Sequence, residues 1–315
     1  MKSNMELRLY SRLVALAAVM LLLIPLGAAE DGLYILEKGG RLHRVGNAPA
    51  ASLLDAGDGA VDFELSEDGH GIYMLDPSGS ILSDGAGLAF KGLNLEPRQA
   101  RRVAVSRLGF AVLDDQGQVH FGGGQPPLDG DGDAFFGWDI AQDIELTPEG
   151  DGMVVLDRFG GLHYWGEAPR LVGPFFGWDI ARDIELSPDG RGYYILDGFG
   201  FIHSVGPVQR FAGRNLGWDI ARDLELTQSG QGYYILDGFG CLHIGGDAIP
   251  FDAPFFGWDV AVDLEIAPRP MGALSGKVMD GNSPGGLVPI AGAIISLVRM
   301  DLPGEFVHRQ PGSGP

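Results

Sequence analysis

The chain has 315 residues, of which 45% are hydrophobic and 51 are glycine, and its formal net charge is −20. A net charge this negative repels phosphate backbones and anionic membrane surfaces. It therefore argues against nucleic acid as a partner and favours cations as partners. The hydrophobic content suffices for a core, the glycines favour short strands and tight turns, and the single cysteine precludes an intramolecular disulfide.

Residues 1–29 have the form of a secretory signal peptide. Basic residues precede the apolar run LVALAAVMLLLIPL (13–26), and small side chains at Gly27 and Ala29 suit cleavage before Glu30. We therefore expect an exported protein, whether secreted, periplasmic or on the cell surface, with no membrane insertion after cleavage. An uncleaved membrane anchor is the alternative, which Pro25 and the shortness of the run disfavour.

Residues 30–268 form a repeat. Close copies of GWDIARDIELSPDGRGYYILDGFGFIH place Asp143, Asp183, Asp223 and Asp263 at equivalent positions, 40 residues apart. Weaker copies come before them, so that the chain holds six DIEL-type and six YIL-type segments. A period of this size indicates stacked supersecondary units.

The two ends of the repeat predict a closed ring. The chain begins on the YIL half of a unit and ends on a DIEL half, and the final DLEIA is as apolar as the internal copies. An open stack would instead end on units with polar outer faces. We therefore expect the strand near Leu264 to pair with the strand near Tyr34, so that the N- and C-terminal strands close the ring.

Each unit is predicted to hold four short antiparallel strands. In the unit that starts at Asp183, DIEL, YYIL and FIHS are separated by the turns SPDG and DGFG, and a weaker fourth strand is expected from Val208 to Phe211. Four strands in about 40 residues, repeated six times and closed, describe an all-β fold, a six-bladed β-propeller.

These motifs also carry a family resemblance. The GWD turn, the DIEL hairpin and the segment YILDGFG resemble a propeller repeat of secreted bacterial proteins that is distantly similar to NHL and WD repeats. The resemblance covers residues 31–268 and implies the fold, whereas propellers host binding, scaffolding and hydrolytic functions alike. The second and third units lack GWD, and the third has Arg102 in place of the first DIEL residue, which argues against a six-fold ligand ring.

The pattern stops after Pro268. The segment LSGKVMDGNSPGGLVPIAGAIISLVRM (274–300) resembles the opening strands of a carboxypeptidase-regulatory-like β-sandwich. Residues 269–315 are therefore predicted to be a linker and a partial, truncated sandwich domain of a larger protein.

The DIEL strand is expected to be innermost, which would crowd its acidic residues around the central channel. Such carboxylates could bind a polar ligand or a cation, for which Ca²⁺ is the natural choice, although no cofactor is required. The alternative is that each acid caps turn amides within its own blade, with Arg101 and Arg102 as internal counter-charge. The acidic residues are Asp62, Glu64, Asp143, Glu145, Asp183, Glu185, Asp223, Glu225, Asp263 and Glu265.

A second candidate metal site is the glycine loop that carries Asp129, Asp131 and Asp133. Alternating carboxylates on such a loop can wrap Ca²⁺. The EF-hand pattern, however, requires glycine and glutamate where this chain has Ala134 and Ile140, so a solvated turn is the equal alternative.

Two further columns of residues recur in the repeat. The histidines are predicted to form hydrogen bonds within their own blades, because their strand lies too far from the axis for a shared metal. They are His43, His120, His163, His203 and His243.

The aromatic residues before each DIEL strand are predicted to be buried wedges between sheets, and if exposed would be platforms for sugar rings. They are Trp138, Trp178, Trp218, Trp258, Phe135, Phe136, Phe175, Phe176, Phe255 and Phe256.

The sequence repeats strongly, and no one cluster of polar residues stands apart from the repeat as a catalytic centre typically would. It therefore predicts an exported, non-enzymatic binding or scaffold module of a larger surface or secreted protein, with a carbohydrate or protein ligand. Two alternatives stay open. One is a Ca²⁺-dependent hydrolase or lyase with its site at the channel, and the other is a purely structural spacer.

Overall fold

The computed structural model describes residues 32–51, 59–66, 69, 71–85, 95, 99–130, 135–267, 279–280 and 288–289. The first nine strands are β1 (Gly32–Glu37), β2 (Leu42–Gly46), β3 (Asp62–Leu65), β4 (Gly71–Leu75), β5 (Ile81–Gly85), β6 (Ala100–Ser106), β7 (Gly109–Asp114), β8 (Val119–Gly122) and β9 (Ala141–Leu146). The next nine are β10 (Gly152–Asp157), β11 (Leu162–Gly166), β12 (Ala181–Leu186), β13 (Tyr193–Asp197), β14 (Ile202–Val205), β15 (Ala221–Leu226), β16 (Tyr233–Asp237), β17 (Leu242–Gly245) and β18 (Ala261–Ala267).

These eighteen strands form six three-stranded antiparallel sheets, and no helix occurs in the described residues. In order from inner to outer strand, the sheets are blade 1 (β18, β1, β2), blade 2 (β3, β4, β5), blade 3 (β6, β7, β8), blade 4 (β9, β10, β11), blade 5 (β12, β13, β14) and blade 6 (β15, β16, β17). The predicted all-β, six-bladed propeller is confirmed.

The two ends of the repeat close the ring as predicted. β18 is the inner strand of blade 1 and pairs antiparallel with β1, in a register that sets Leu264 opposite Ile35 and Glu265 opposite Tyr34. The N-terminal and C-terminal segments thus share one sheet, which removes the free edges that an open arc of blades would leave.

The prediction of a fourth strand in each unit is wrong. In blade 5 the chain leaves β14 through Gly206, which has a φ of 92°, and Pro207, which has no N–H to donate to a sheet. The segment from Val208 to Phe211 makes no strand, and pairing with the outer strand is reduced to one bridge between Phe201 and Gly213.

The core lies between neighbouring blades. Every residue of the middle strand β13 is buried, since both faces of its sheet are covered. Leu156 and Val154 of blade 4 belong to the same buried cluster as Ile184 and Ile195 of blade 5. Flat apolar faces that stack around an axis therefore supply the stability of the ring.

A β-bulge begins most of the inner strands. In blade 5, Ala181 pairs with Asp197 and Asp183 pairs with Leu196, which leaves Arg182 as the extra residue. Arg222 holds the same position in blade 6. A bulge re-aims the side chain that it carries, and here it releases an arginine from the in-and-out alternation of the strand.

Beyond the propeller, the described residues form one further sheet, a pair of short strands, β19 (Met279–Asp280) and β20 (Val288–Pro289). The predicted signal peptide and most of the predicted sandwich lie outside the described residues, so both remain predictions. Within the described part of the chain, no helix has the length and apolar character needed to cross a membrane.

Candidate functional site

The ten acidic residues predicted to face the channel do line one cavity on the axis, together with Arg102. They form two tiers. The five aspartates are almost fully buried, with exposures of 3% to 6%. The five glutamates, two residues further along each strand, are partly buried.

The aspartate tier joins neighbouring blades through hydrogen bonds. Oδ2 of each aspartate accepts a hydrogen bond from a backbone N–H on the inner strand of the next blade. The donor and acceptor pairs are Val103 to Asp62 (2.6 Å), Ile184 to Asp143 (2.8 Å), Leu224 to Asp183 (3.2 Å), Leu264 to Asp223 (3.1 Å) and Phe63 to Asp263 (2.8 Å). Each acid was expected to accept hydrogen bonds from turn amides of its own blade. For the aspartates this expectation is wrong, because these donors lie on the inner strand of the next blade.

Arg102 completes this tier in blade 3 and reaches aspartates of both neighbouring blades. Its Nη1 donates to Oδ1 of Asp62 at 3.0 Å, and its Nε lies 3.4 Å from Oδ1 of Asp143. The predicted role as counter-charge therefore belongs to Arg102. Arg101, the bulge residue beside it, points elsewhere and pairs with Asp139.

The pKa values of four aspartates in this tier respond to their burial. Desolvation raises the pKa of Asp62, Asp183 and Asp223 well above the usual range, and like charges on neighbouring carboxylates raise it further. The pKa of Asp143 is also raised by burial, although Arg102 opposes that effect. The tier is thus held by amide donors and one guanidinium, while burial and like charges favour the neutral form of Asp62, Asp183 and Asp223.

Among the residues that the structure describes, the glutamate tier holds no cation, because blade 3 contributes Ala104 at this level. Burial raises the pKa of all five glutamates, and that of Glu225 to about 8. Hydrogen bonding to Glu265 opposes this rise in the pKa of Glu64 and of Glu225. The arrangement can hold protons or a cation, and its raised pKa values are a feature of functional sites as well as of buried clusters.

Two candidate cation sites were predicted, the acidic channel and the loop that carries Asp129. Among the described residues, no group of three or more histidine, cysteine, aspartate or glutamate side chains is arranged to hold a metal ion. In the predicted Asp-Gly-Asp-Gly-Asp loop, the backbone carbonyl of Asp129 accepts a hydrogen bond from Gly166 N–H at 2.8 Å. Asp131 and Asp133 lie outside the described residues, so this candidate Ca²⁺ site remains a prediction.

The histidines bond within their own blades as predicted. In blades 3 to 6, Nε2 of His120, His163, His203 and His243 lies 2.8 to 3.1 Å from the aspartate that begins the preceding turn. His43 of blade 1 uses Glu37 in the same way. The other oxygen of the turn aspartate accepts backbone N–H groups, so that one carboxylate fixes both the turn and the histidine.

The tryptophans are not wedges between blades. Trp138, Trp178, Trp218 and Trp258 are 52% to 74% exposed. The first phenylalanine of each pair is also exposed, at 49% for Phe135, 73% for Phe175 and 71% for Phe255. We call these seven residues the aromatic arc. The prediction of buried wedges is therefore wrong for them.

The second phenylalanine of each pair does act as a wedge. Phe136, Phe176 and Phe256 are partly buried and contact the histidine rings of the neighbouring blade, with ring centroids 4.8 to 4.9 Å apart. The repeat thus uses one phenylalanine of each pair for packing and leaves the other in solvent.

The aromatic arc lies on one face of the propeller. Each GWD loop precedes an inner strand, and each DGFG-type turn follows the middle strand of the same blade, so antiparallel pairing brings both to one end of the sheet. Contacts between Trp138 and Phe159 and between Trp178 and Phe199, with centroids 5.9 and 6.1 Å apart, confirm the placement. The arc spans four consecutive blade junctions, from blades 3 and 4 to blades 6 and 1.

A chain of ion pairs underlies the arc. Its carboxylates are the aspartates that follow each tryptophan, and its cations come from bulges and turns on both sides of them. In order around the ring, it runs Arg101, Asp139, Arg158, Asp179, Arg182, Asp219, Arg222, Asp259 and Lys38. The signal in the sequence that could have predicted these pairs is the recurring WDIAR, which sets an aspartate and an arginine at fixed positions in two successive units.

Comparison with known proteins agrees with the fold. No family model matches the sequence, and no curated protein has significant sequence similarity to it. Among solved structures, a chain in the crystal structure of a nidogen–laminin complex superposes with a TM-score of 0.54 and 10% identity, over 76% of this chain and 99% of that chain. At this identity the likeness shows the fold alone, which is that of a β-propeller.

Proposed function

We propose that this chain is an exported, non-enzymatic binding module whose ligand-binding face is the aromatic arc. The observation that carries the proposal is the exposure of four tryptophans, at 52% to 74%, along one face. Soluble proteins seldom leave aromatic patches in water unless they bind something, and tryptophan is enriched among residues that dominate binding energies.

The arrangement beneath the arc supports this proposal. The ion pairs fix the GWD loops to the neighbouring blades, as where Arg182 bonds both Asp179 and Asp219. Loops held in this way lose little conformational entropy when they bind a ligand. The ligand is a carbohydrate or a protein, and the structural neighbour from a nidogen–laminin complex supports the second class.

Export and membership of a larger secreted or surface protein form the second part of the proposal. The form of residues 1–29 and the resemblance of the repeat to secreted bacterial propellers support export. The resemblance of residues 274–300 to the start of a sandwich domain supports a larger protein.

The test compares the chain with two variants in glycan-array and protein-capture screens. The arc variant is Trp178→Ala/Trp218→Ala, which alters the two central junctions. The control variant is Leu82→Ala/Val172→Ala, which removes exposed apolar groups, 46% and 98% exposed, that do not belong to the arc. Binding that is lost only in the arc variant is the expected result, and a ligand that all three proteins bind equally would contradict the proposal.

A second candidate is a Ca²⁺-dependent hydrolase or lyase that acts at the channel. The observation in its favour is the glutamate tier, where five carboxyl groups with raised pKa values meet and no described residue supplies a cation. Polysaccharide turnover that is lost with a chelator and in Glu185→Gln, and kept in the arc variant, would establish it in place of the binding module.

A further inference from the structure

We propose that the aromatic arc binds a neutral oligosaccharide, with a sugar ring stacked on the tryptophan at each of several blade junctions. This inference rests on the proposed function and names the ligand class of the same face.

Each indole is more than half exposed to solvent. Trp138, Trp178 and Trp218 contact a phenylalanine of the adjoining turn at centroid distances of 5.7 to 6.1 Å, with the two ring planes 32° to 52° apart. At Trp258 the equivalent turn has Gly39 in place of phenylalanine, and this tryptophan is the most exposed of the four, at 74%. Exposed aromatic rings that are held by a neighbouring side chain suit the apolar C–H face of a sugar ring.

Hydrogen-bonding groups lie directly beside each ring. The residue after each tryptophan is an aspartate whose carboxylate is held by an arginine or lysine. In the clearest case, Nε of Arg182 donates to Oδ1 of Asp219 at 3.0 Å, and its Nη2 to Oδ2 at 2.5 Å. Carboxylate oxygens can accept from sugar hydroxyls and guanidinium groups can donate to them. A few fixed polar groups next to an aromatic ring could orient a bound sugar.

The charge of the ion-pair chain favours a neutral ligand. Its five cations and four carboxylates leave a single positive charge, whereas the whole protein carries −20. A strongly cationic protein partner would be drawn to the acidic remainder of the chain rather than to this face. A polyanion would meet few unpaired cations here and would be repelled by the protein as a whole.

Repetition favours a polymer of like units. All four junctions carry a GWD turn, so that each presents a tryptophan followed by an aspartate at successive angles around the ring. A ligand with repeated units can occupy several such sites at once, and linked occupancy raises affinity through effective concentration. A hexasaccharide should therefore bind more tightly than a disaccharide of the same sugar.

The experiment titrates the full chain with neutral hexasaccharides and disaccharides of β-1,4-linked glucose, xylose and mannose, and with a hexamer of galacturonic acid, by calorimetry. The same titrations are made with Trp178→Ala/Trp218→Ala and with Leu82→Ala/Val172→Ala, after circular dichroism shows that both variants melt as the parent does. We expect at least one neutral hexasaccharide to bind at least tenfold more tightly than its disaccharide. We also expect its affinity to fall at least tenfold in the tryptophan variant and to be unchanged in the control.

The possible failures are distinguishable. If no neutral sugar binds but a captured protein or the galacturonic acid hexamer binds in a tryptophan-dependent way, the neutral-sugar proposal is overturned and the binding face stands. If a neutral hexasaccharide binds the parent and the tryptophan variant with equal affinity, both the neutral-sugar site and the binding face are overturned.

Discussion

Oδ2 of Asp263 accepts a hydrogen bond from the backbone N–H of Phe63 at 2.8 Å, although the two residues are 200 positions apart in the chain. The bond crosses the junction between blades 1 and 2, and it repeats the bonds that the other aspartates make at internal junctions. The blade that closes the ring is therefore held by the same device as the blades that the chain connects directly.

This bond predicts different outcomes for two substitutions at one position. Asp263→Ala leaves the buried N–H of Phe63 without its acceptor and should lower the free energy of unfolding by about 1–3 kcal/mol. Asp263→Asn keeps one acceptor oxygen for the Phe63 N–H, loses the longer bond from the Leu264 N–H at 3.1 Å and removes a charge from a crowded tier, so it should cost less than Asp263→Ala. Urea denaturation measures both, and equal losses would show that the hydrogen bond contributes little.

Substitution of Arg102 should lower the free energy of unfolding more than substitution of Asp263. It is the one cation of the aspartate tier among the described residues, and it bonds Asp62 and lies 3.4 Å from Asp143. Arg102→Met should lower the free energy of unfolding by about 3–5 kcal/mol, because buried carboxylates lose their counter-charge.

The adjacent Arg101→Met is the matched control. Arg101 pairs with the exposed Asp139, and the loss of such a surface pair costs about 0–1 kcal/mol. Thermal and urea unfolding of both variants should rank them clearly, and similar stabilities would contradict the counter-charge role of Arg102.

The glutamate tier predicts that the protein is more stable in mild acid than in mild base. Burial raises the pKa of Glu225 from 4.5 to about 8, so the folded state binds a proton that the unfolded state releases. The stabilisation is complete below the unfolded pKa and is lost as the pH rises through the folded pKa. Each such group changes the free energy of unfolding by about 1.4 kcal/mol per pH unit in this window.

The melting temperature should therefore fall as the pH rises from 5.5 to 8.5. Glu225→Gln, which cannot ionise, should reduce that slope and raise stability at pH 8.5. A melting temperature that is constant or rises over this range would contradict a protonated tier.

The ring could be predicted because the repeat begins with the second half of a unit, at Ile35, and ends with the first half of a unit, at Leu264. These two half-units can pair to complete one blade. The sequence also placed the acidic strand innermost and the histidines beside their own turns. All these features depend on the order of elements within a unit, which repetition makes visible.

It did not predict features that depend on the neighbouring blade. Recurrence once per unit describes a wedge and a surface residue equally well, so Trp178 and Phe176 could not be told apart, although one is exposed and the other packs against His203. The bulge at Arg182 was hidden too, because an extra residue changes the direction of a side chain without changing the period.

The most direct test of the binding-face account is the solvent exposure of the tryptophans in the ligand-free protein. Of five tryptophans in the chain, Trp165 is buried at 9% exposure and the other four belong to the arc. Acrylamide quenching of tryptophan fluorescence should therefore reach about four-fifths of the emission, and Trp178→Phe/Trp218→Phe should remove about half of the quenchable part. Emission that acrylamide barely quenches would mean that the tryptophans are packed between blades, and would contradict the account.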